Sequence, residues 1–409
     1  MLHRIWLGFF VFAFISACYQ WLGLGNADIF QQMVKASFDM ASLSVELSIG
    51  LIGVLSFWLG VVKVGEASGL IAKLADLFSP LFTRLMPEVP KGHPAISSVT
   101  LNLSANVLGL DNAATPLGLK AMQDLQSLNP KPDTASNAQI LFLVLNTSSV
   151  TLFPITVLLY RAQQGAADAA AVFIPILIAT SCSSLAGLLA VSVAQKINWR
   201  DGVLLAYMGL AFAALMSMIA YFSTLGMNQL QSQSSLMSNF LIFALILMFL
   251  LVAHVKKVNT YETFISGAKQ GFKTAIDIIP FLLAMLVAVG VFRASGALDL
   301  LMGGVRSVVD LIGWDNRWVD ALPTALMKPL SGSGARAMML ETMNTYGVDS
   351  FQALLAATIQ GSTETTFYVL AVYFGSVGIR HTRYALSCGL IADFAGIAAA
   401  IGVAYWFYG

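Results

Sequence analysis

The chain has 409 residues, of which 57% are hydrophobic and only 11% are charged, and its mean hydropathy is +0.78. This composition excludes an ordinary soluble domain and indicates a polytopic membrane protein. The formal net charge of +1 provides no basic surface for nucleic acid. The three cysteines lie in apolar stretches without ligand spacing, so we expect neither a disulfide framework nor a cysteine metal site.

The first 25 residues carry Arg4 and then an apolar stretch. Ile15-Ser16-Ala17-Cys18 is similar to a lipoprotein cleavage site, which would remove this segment. The apolar pattern nevertheless continues past Cys18 to about the 20 residues that a membrane span requires. We therefore expect this segment to remain as the first span.

Apolar stretches of spanning length predict nine membrane helices. They cover residues 4–24, 44–64, 137–160, 170–194, 203–222, 236–253, 276–292, 350–374 and 382–406. Two further regions, 66–130 and 294–347, are too polar to span simply. Each begins with an amphipathic segment and continues with a piece rich in small and polar residues, 102–122 and 323–339. We interpret these pieces as re-entrant hairpins that line a cavity.

The predicted eighth span contains a polar run at residues 360–366, with six polar side chains in seven positions. A polar group without a partner costs several kcal/mol at membrane depth, so this run should face a protein interior or a wet cavity. A similar polar segment occurs in the first half of the chain, where Ser148 and the residues after it align with Ser362 and the residues after it. Ala67-Ser68-Gly69 likewise recurs as Ala294-Ser295-Gly296. These matches predict an internal duplication.

Counting spans predicts an all-α polytopic membrane protein with two inverted-topology repeats. Each repeat would hold about four spans plus a re-entrant hairpin region, and an additional span would link them. The predicted units are residues 1–200, 201–230 and 231–409. The distribution of Lys and Arg predicts a cytoplasmic N-terminus in a bacterial inner membrane, although residues 294–347 depart from it.

Several segments also resemble a known family. Residues 102–122, NLSANVLGLDNAATPLGLKAM, resemble the signature of spore maturation protein A. PLSGSGA at 329–335, GSTETTFY at 361–368 and GLIAD at 389–393 resemble that of spore maturation protein B. The chain thus resembles a fusion of the two, with a nucleoside-recognition Gate domain that is distantly similar to concentrative nucleoside transporters. The resemblance implies movement of a small solute across the membrane.

Glu364 is the strongest candidate for a binding residue, because a carboxylate within a span marks an ion or solute pathway by default. A structural hydrogen bond to a hairpin is the alternative. Arg336 would favour an anion, or it would pair with Glu341 or Glu364. For Asp393, ion binding and pairing with a hairpin are both open. The candidate substrate- or ion-binding residues are Glu364, Ser362, Thr363, Thr365, Thr366, Gln360, Asn146, Thr147, Ser148, Ser149, Asn102, Asn106, Asp111, Asn112, Thr115, Ser331, Ser333, Arg336 and Asp393.

These features predict a secondary transporter that moves a small polar or anionic metabolite, such as a nucleoside or an amino acid, by alternating access. Sodium or protons are the candidate coupling ions, and we expect no cofactor, no metal centre and no catalytic site. The lipid bilayer and a small-molecule substrate are the expected partners, and a homo-oligomer is left open. The alternatives are an ion or solute channel and a non-catalytic protein of envelope or spore maturation.

Overall fold

The computed structural model describes residues 2–107, 111–148, 151, 153–197 and 199–409. Within these residues the chain forms seventeen α-helices and no β-strand. The protein is therefore an all-α polytopic membrane protein, as its composition predicts.

The helices form two series that are joined by one linking helix. The first series contains α1 (Leu2–Leu24), α2 (Ile29–Ala67), α3 (Leu70–Leu85), α4 (Pro94–Val107), α5 (Asp111–Gln126), α6 (Asn137–Ser148), α7 (Ile155–Gln163) and α8 (Phe173–Gln195). The linking helix is α9 (Gly202–Ser223). The second series contains α10 (Met227–Val255), α11 (Thr260–Ala294), α12 (Ala297–Ile312), α13 (Leu322–Met327), α14 (Gly332–Tyr346), α15 (Phe351–Ser362), α16 (Thr366–Ser376) and α17 (Ala385–Tyr408). Short 3-10 turns precede α8 and α13.

Seven helices in the described part of the chain are long and apolar enough to span a membrane. They match seven of the nine predicted spans. The prediction of continuous spans at 137–160 and 350–374 is wrong, because each of these stretches is broken into two half-helices, α6 with α7 and α15 with α16. The first break precedes Pro154, whose ring disfavours helical conformation in the preceding residue. At the second break Thr363 is extended, with φ −147° and ψ 174°.

The two series repeat the same order of elements. α2 and α11 both end in a serine whose hydroxyl donates to a carbonyl in the last turn: Ser68 to Gly65 at 2.6 Å and Ser295 to Phe292 at 2.7 Å. Each serine is followed by a glycine with positive φ and then by an amphipathic 16-residue helix, α3 or α12. This order agrees with the predicted duplication. The inverted orientation of the repeats and their exact boundaries stay predictions.

α2 and α11 form the most extensive helix pair and cross through glycines. A Cβ atom on Gly267 would lie 2.3 Å from the carbonyl oxygen of Leu59, and one on Gly271 would lie 2.5 Å from Cα of Ser56. Glycine allows the two backbones to approach this closely, as in other membrane helix pairs. The crossing joins the two series at the centre of the protein.

Two loop contacts also join the series, and the first is built on Arg161 at the end of α7. Its side chain is fully buried and donates to the carbonyl oxygens of Val348 and Asp168 at 2.9 and 3.0 Å. It also donates to Oδ1 of Asp349 at 2.9 Å. The loop after α7 is thereby fixed to the turn between α14 and α15.

The second loop contact joins the corresponding elements of the opposite series. The backbone N–H groups of Arg380 and His381, after α16, donate to the carbonyl oxygen of Asp133 at 2.9 and 3.0 Å. The N–H group of Ala135 donates to the carbonyl oxygen of His381 at 3.0 Å. The turn between α5 and α6 therefore contacts the loop between α16 and α17. Backbone groups make these contacts, whereas the buried guanidinium of Arg161 makes those of the first pair.

Large apolar side chains are exposed on α1, α9 and α10. Leu22 on α1, Leu210 on α9 and Phe240 on α10 are all at least 65% exposed. Such side chains find apolar surroundings only in a bilayer or against another subunit. These helices accordingly place the protein in contact with lipid.

We predict that Gly267→Ala destabilises the protein, because the new methyl group would overlap the Leu59 carbonyl oxygen and force α2 and α11 apart. Overpacking of this kind costs about 1–3 kcal/mol. The matched control is Gly209→Ala, because a Cβ atom there meets nothing within 4 Å. Thermal unfolding in detergent should show a lower Tm for Gly267→Ala alone. Equal Tm values for the two variants would contradict the close crossing.

We also predict that Arg161→Met destabilises the protein more than Asp349→Asn. The first change removes the guanidinium donor from the part-buried carbonyl oxygens of Val348 and Asp168, and an unsatisfied buried polar group costs about 1–3 kcal/mol. Asp349 is 46% exposed, so water can replace its contact. Lys131→Met, on an exposed loop, is the control for loss of a cation. The prediction is wrong if Arg161→Met unfolds at the same temperature as Lys131→Met.

Candidate functional site

The two helix breaks lie beside each other and exchange backbone contacts. The N–H group of Glu364, in the second break, donates to the carbonyl oxygen of Thr147 at the end of α6, at 2.8 Å. The N–H group of Phe367 donates to the carbonyl oxygen of Pro329, in the loop between α13 and α14, at 2.9 Å. The N–H group released at Glu364 is thus satisfied by a residue of the first series, and that of Phe367 by a loop of the second series.

A cavity of about 850 Å³ lies at this junction. Ten of the candidate residues line it: Asn106, Thr115, Asn146, Ser331, Ser333, Arg336, Gln360, Thr363, Glu364 and Thr365. The hairpin pieces and both breaks therefore contribute to one site. Glu364 is half-buried within this lining.

Six other candidate residues lie behind the lining: Asn102, Thr147, Ser148, Ser362, Thr366 and Asp393. Most of their polar groups have local partners. The hydroxyl of Ser362 donates to the carbonyl oxygen of Ile359 at 2.8 Å, and the amide of Asn102 donates to the carbonyl oxygen of Ala114 at 2.7 Å. Ser149 and the side chains of Asp111 and Asn112 lie outside the described part of the structure.

One hydrogen bond links a hairpin directly to a broken helix. The amide of Asn106, near the end of α4, donates to Oδ1 of Asn146 on α6 at 2.7 Å. Both residues line the cavity. Gly118 allows α5 to lie close to α4 and α16. A Cβ atom at Gly118 would lie 2.4 Å from Oη of Tyr373 on α16 and 2.9 Å from Nδ2 of Asn102 on α4. The first hairpin is therefore packed against both breaks.

Three helices begin at the cavity wall. Pro154 precedes α7, Ser331 precedes α14 and Thr365 precedes α16. The hydroxyl of Ser331 accepts from the N–H group of Gly334 at 3.1 Å, whereas neither Pro154 nor Thr365 caps its helix with a side-chain hydrogen bond. Helix N-termini carry a partial positive charge and bind anions through their backbone N–H groups.

Two cationic side chains and one carboxylate line the cavity in the described residues: Lys328, Arg336 and Glu364. Lys328 is only 3% exposed. Nε of Arg336 is buried and has no hydrogen-bond partner among the described residues. The expected alternative partner of Arg336, Glu341, is instead bound to Arg293 at 3.0 Å.

Lys328 is the residue that the sequence analysis missed. It lies within residues 294–347, which depart from the topology rule, and it is absent from the candidate binding residues. Its position directly before Pro329-Leu330-Ser331-Gly332, in an apolar stretch, was the available signal. Lys328 directly follows the last residue of α13, Met327. Its charge and the backbone groups at the end of this helix both need polar surroundings at membrane depth, so they lie together at the cavity.

Comparison with known proteins places this architecture in a family. The family model "Gate: Nucleoside recognition" matches residues 48–163 and 275–380, which together exceed half of the chain. Each match contains one of the two helix breaks. The repeated order of helices therefore coincides with a repeated family match.

Two proteins of Bacillus subtilis (strain 168) are similar to this chain. Spore maturation protein B is 46% identical over 160 residues, which cover 39% of the chain and 88% of that protein. Spore maturation protein A is 35% identical over 189 residues, which cover 46% of the chain and 93% of that protein. The chain belongs to the Gate (nucleoside recognition) family and combines, in one polypeptide, sequences related to spore maturation proteins A and B.

Proposed function

We propose that this protein is a secondary transporter that carries a small anionic metabolite by alternating access, with the substrate bound between the two helix breaks. One observation carries the proposal. Both breaks, three helix N-termini and two cationic side chains line a single cavity of about 850 Å³. Transporters of other architectures likewise bind substrate where discontinuous helices of two repeats meet.

The charge of the lining favours an anion. Lys328 and Arg336 outnumber Glu364 among the described charged residues of the wall. Each helix N-terminus adds the equivalent of roughly half a positive charge. A carboxylate or phosphate would therefore replace water at the starts of α7, α14 and α16 while it pairs with the two cations.

The remaining lining residues can recognise the rest of the substrate. Glu364 and Thr365 supply acceptors for a hydroxyl or amino group, and Gln360 has a buried Oε1 without a partner among the described residues. Phe153 and Tyr368 add aromatic surface. The family description names nucleoside recognition, so nucleoside phosphates belong to this substrate class beside dicarboxylates.

We take the lining as a binding site for transport, because its polar groups come from both helix breaks, which is where transporters of other architectures bind substrate. We place the protein in the bacterial plasma membrane with a cytoplasmic N-terminus, in accordance with the distribution of lysine and arginine.

The anion preference can be tested with pairs of probes that differ by one phosphate group. We expect uridine monophosphate or glycerol 3-phosphate to raise the Tm of the purified protein, because a ligand at a hundredfold excess over its Kd stabilises by about 2.7 kcal/mol. Uridine and glycerol, which lack the phosphate, are the matched neutral probes. A Tm increase with the neutral member of a pair, and none with the charged member, would exclude an anion site.

Uptake into proteoliposomes tests the two cations. We expect Lys328→Met and Arg336→Met each to lower uptake of the stabilising anion by about tenfold or more, since a hydrogen bond to a charged group contributes about 1.5–3 kcal/mol. Lys73→Met removes a cation from an exposed site on α3 and should leave uptake unchanged. Unaltered uptake in both cavity variants would contradict the proposed role of the two cations in anion binding. Unitary currents in a planar bilayer would indicate a channel instead of a carrier.

A further inference from the structure

Asp393 lies near the middle of α17 with an incomplete set of partners. Its side chain is 2% exposed. Oδ2 accepts from the hydroxyl of Thr366 at 2.7 Å, but Oδ1 has no hydrogen-bond partner among the described residues. A buried carboxylate oxygen without a partner is costly, and here it lies directly behind the substrate cavity.

A second oxygen without a hydrogen-bond partner lies in the neighbouring helix break. Thr363, in this second break, packs against α17 at Gly396, three residues after Asp393. Thr363 is 3% exposed, and its Oγ1 completes no hydrogen bond with any described residue. Gly396 allows the approach, because a Cβ atom there would lie 2.7 Å from Cγ2 of Thr363.

The surrounding backbone adds acceptors. α15 ends at Ser362, directly before Thr363, and the last turn of a helix leaves carbonyl oxygens without partners and carries partial negative charge. Hydroxyl, carboxylate and carbonyl oxygens are the ligands that hard cations prefer. In broken-helix transporters the C-terminal ends of half-helices coordinate cations, whereas the N-terminal ends bind anions.

We propose that Asp393, Thr363 and the C-terminal turn of α15 form a sodium site that is separate from the anion cavity but shares Thr363 with it. The sodium site itself does not depend on the proposed function. Only the role of this site in coupling sodium to transport rests on that proposal. Glu364 is the neighbouring residue and adds negative charge on the cavity side. Sodium coupling is thereby assigned to the oxygens around Asp393, and Glu364 is assigned to the substrate.

Lys328 connects the two sites. It lines the cavity and interacts electrostatically with Asp393. An anion that binds beside Lys328 offsets its positive charge at Asp393 and so favours a sodium ion there. By thermodynamic reciprocity, sodium then favours the anion by the same factor, typically about 5–150-fold. Removal of Lys328 should therefore strengthen sodium binding even as it weakens anion binding.

The experiment measures binding of radioactive ²²Na⁺ to the purified protein and the Tm in sodium relative to choline. We expect Asp393→Asn to abolish both signals and Thr363→Val to weaken sodium binding about tenfold, within the usual range for loss of a supporting group at a metal site. Lys328→Met should bind sodium more tightly than wild type. Asp39→Asn, on an exposed face of α2, is the control that should keep sodium binding.

Two results would overturn the site. One is sodium binding by Asp393→Asn equal to that of the wild type. The other is a Tm that depends on pH but not on sodium, which would assign Asp393 to a proton. If Asp393→Asn does not fold, Thr363→Val decides, because it keeps the carboxylate; its unchanged affinity for sodium would exclude the site. Sodium binding without anion uptake in the wild type would contradict the transporter proposal and leave this site intact.

Discussion

A helix that breaks within a membrane releases N–H and C=O groups that no water can satisfy, and the rest of this structure depends on how those groups find partners. Here the two breaks lie side by side, and the N–H group of Glu364 in one donates to the carbonyl oxygen of Thr147 in the other. Neither break would be stable alone at membrane depth. The breaks therefore require the two repeats to pack together, and the site exists only at their junction.

The same arrangement of helix ends places partial positive and partial negative charge in different parts of the site. Half-helix N-termini at α7, α14 and α16 open onto the cavity with Lys328 and Arg336, while the C-terminal end of α15 lies towards Asp393. Anion and cation preferences thus follow from the direction of the chain at the breaks. Thr363 and Lys328 lie between the two regions, which is why we place coupling there.

The junction is built on identifiable close contacts. Gly267 and Gly271 bring α2 and α11 into backbone contact, and Gly396 brings α17 against the second break. Arg161 joins one pair of loops with a buried guanidinium, and Asp133 joins the corresponding pair through backbone groups. These contacts bring the half-helices together, so that polar side chains from both breaks line one cavity.

The sequence by itself determined the membrane class, and it predicts the duplication and many of the polar residues that line the cavity. Apolar length identifies spans because burial in lipid is additive along the chain, and a polar run within a span must face protein. Five of the ten candidate residues that line the cavity lie in predicted spans, and the other five lie in the predicted hairpin pieces. The first break was readable from Pro154, although it was interpreted as part of a continuous span.

Only the tertiary structure decided the rest. The second break has no proline, and its extended residue, Thr363, is followed by Glu364, whose N–H group donates to the carbonyl oxygen of Thr147, more than two hundred residues away in the chain. The place of Lys328 in the wall, and of Asp393 behind it, likewise follows from packing between repeats that no local pattern encodes. A local sequence specifies which groups need partners, but the partners of a broken helix come from the other half of the fold.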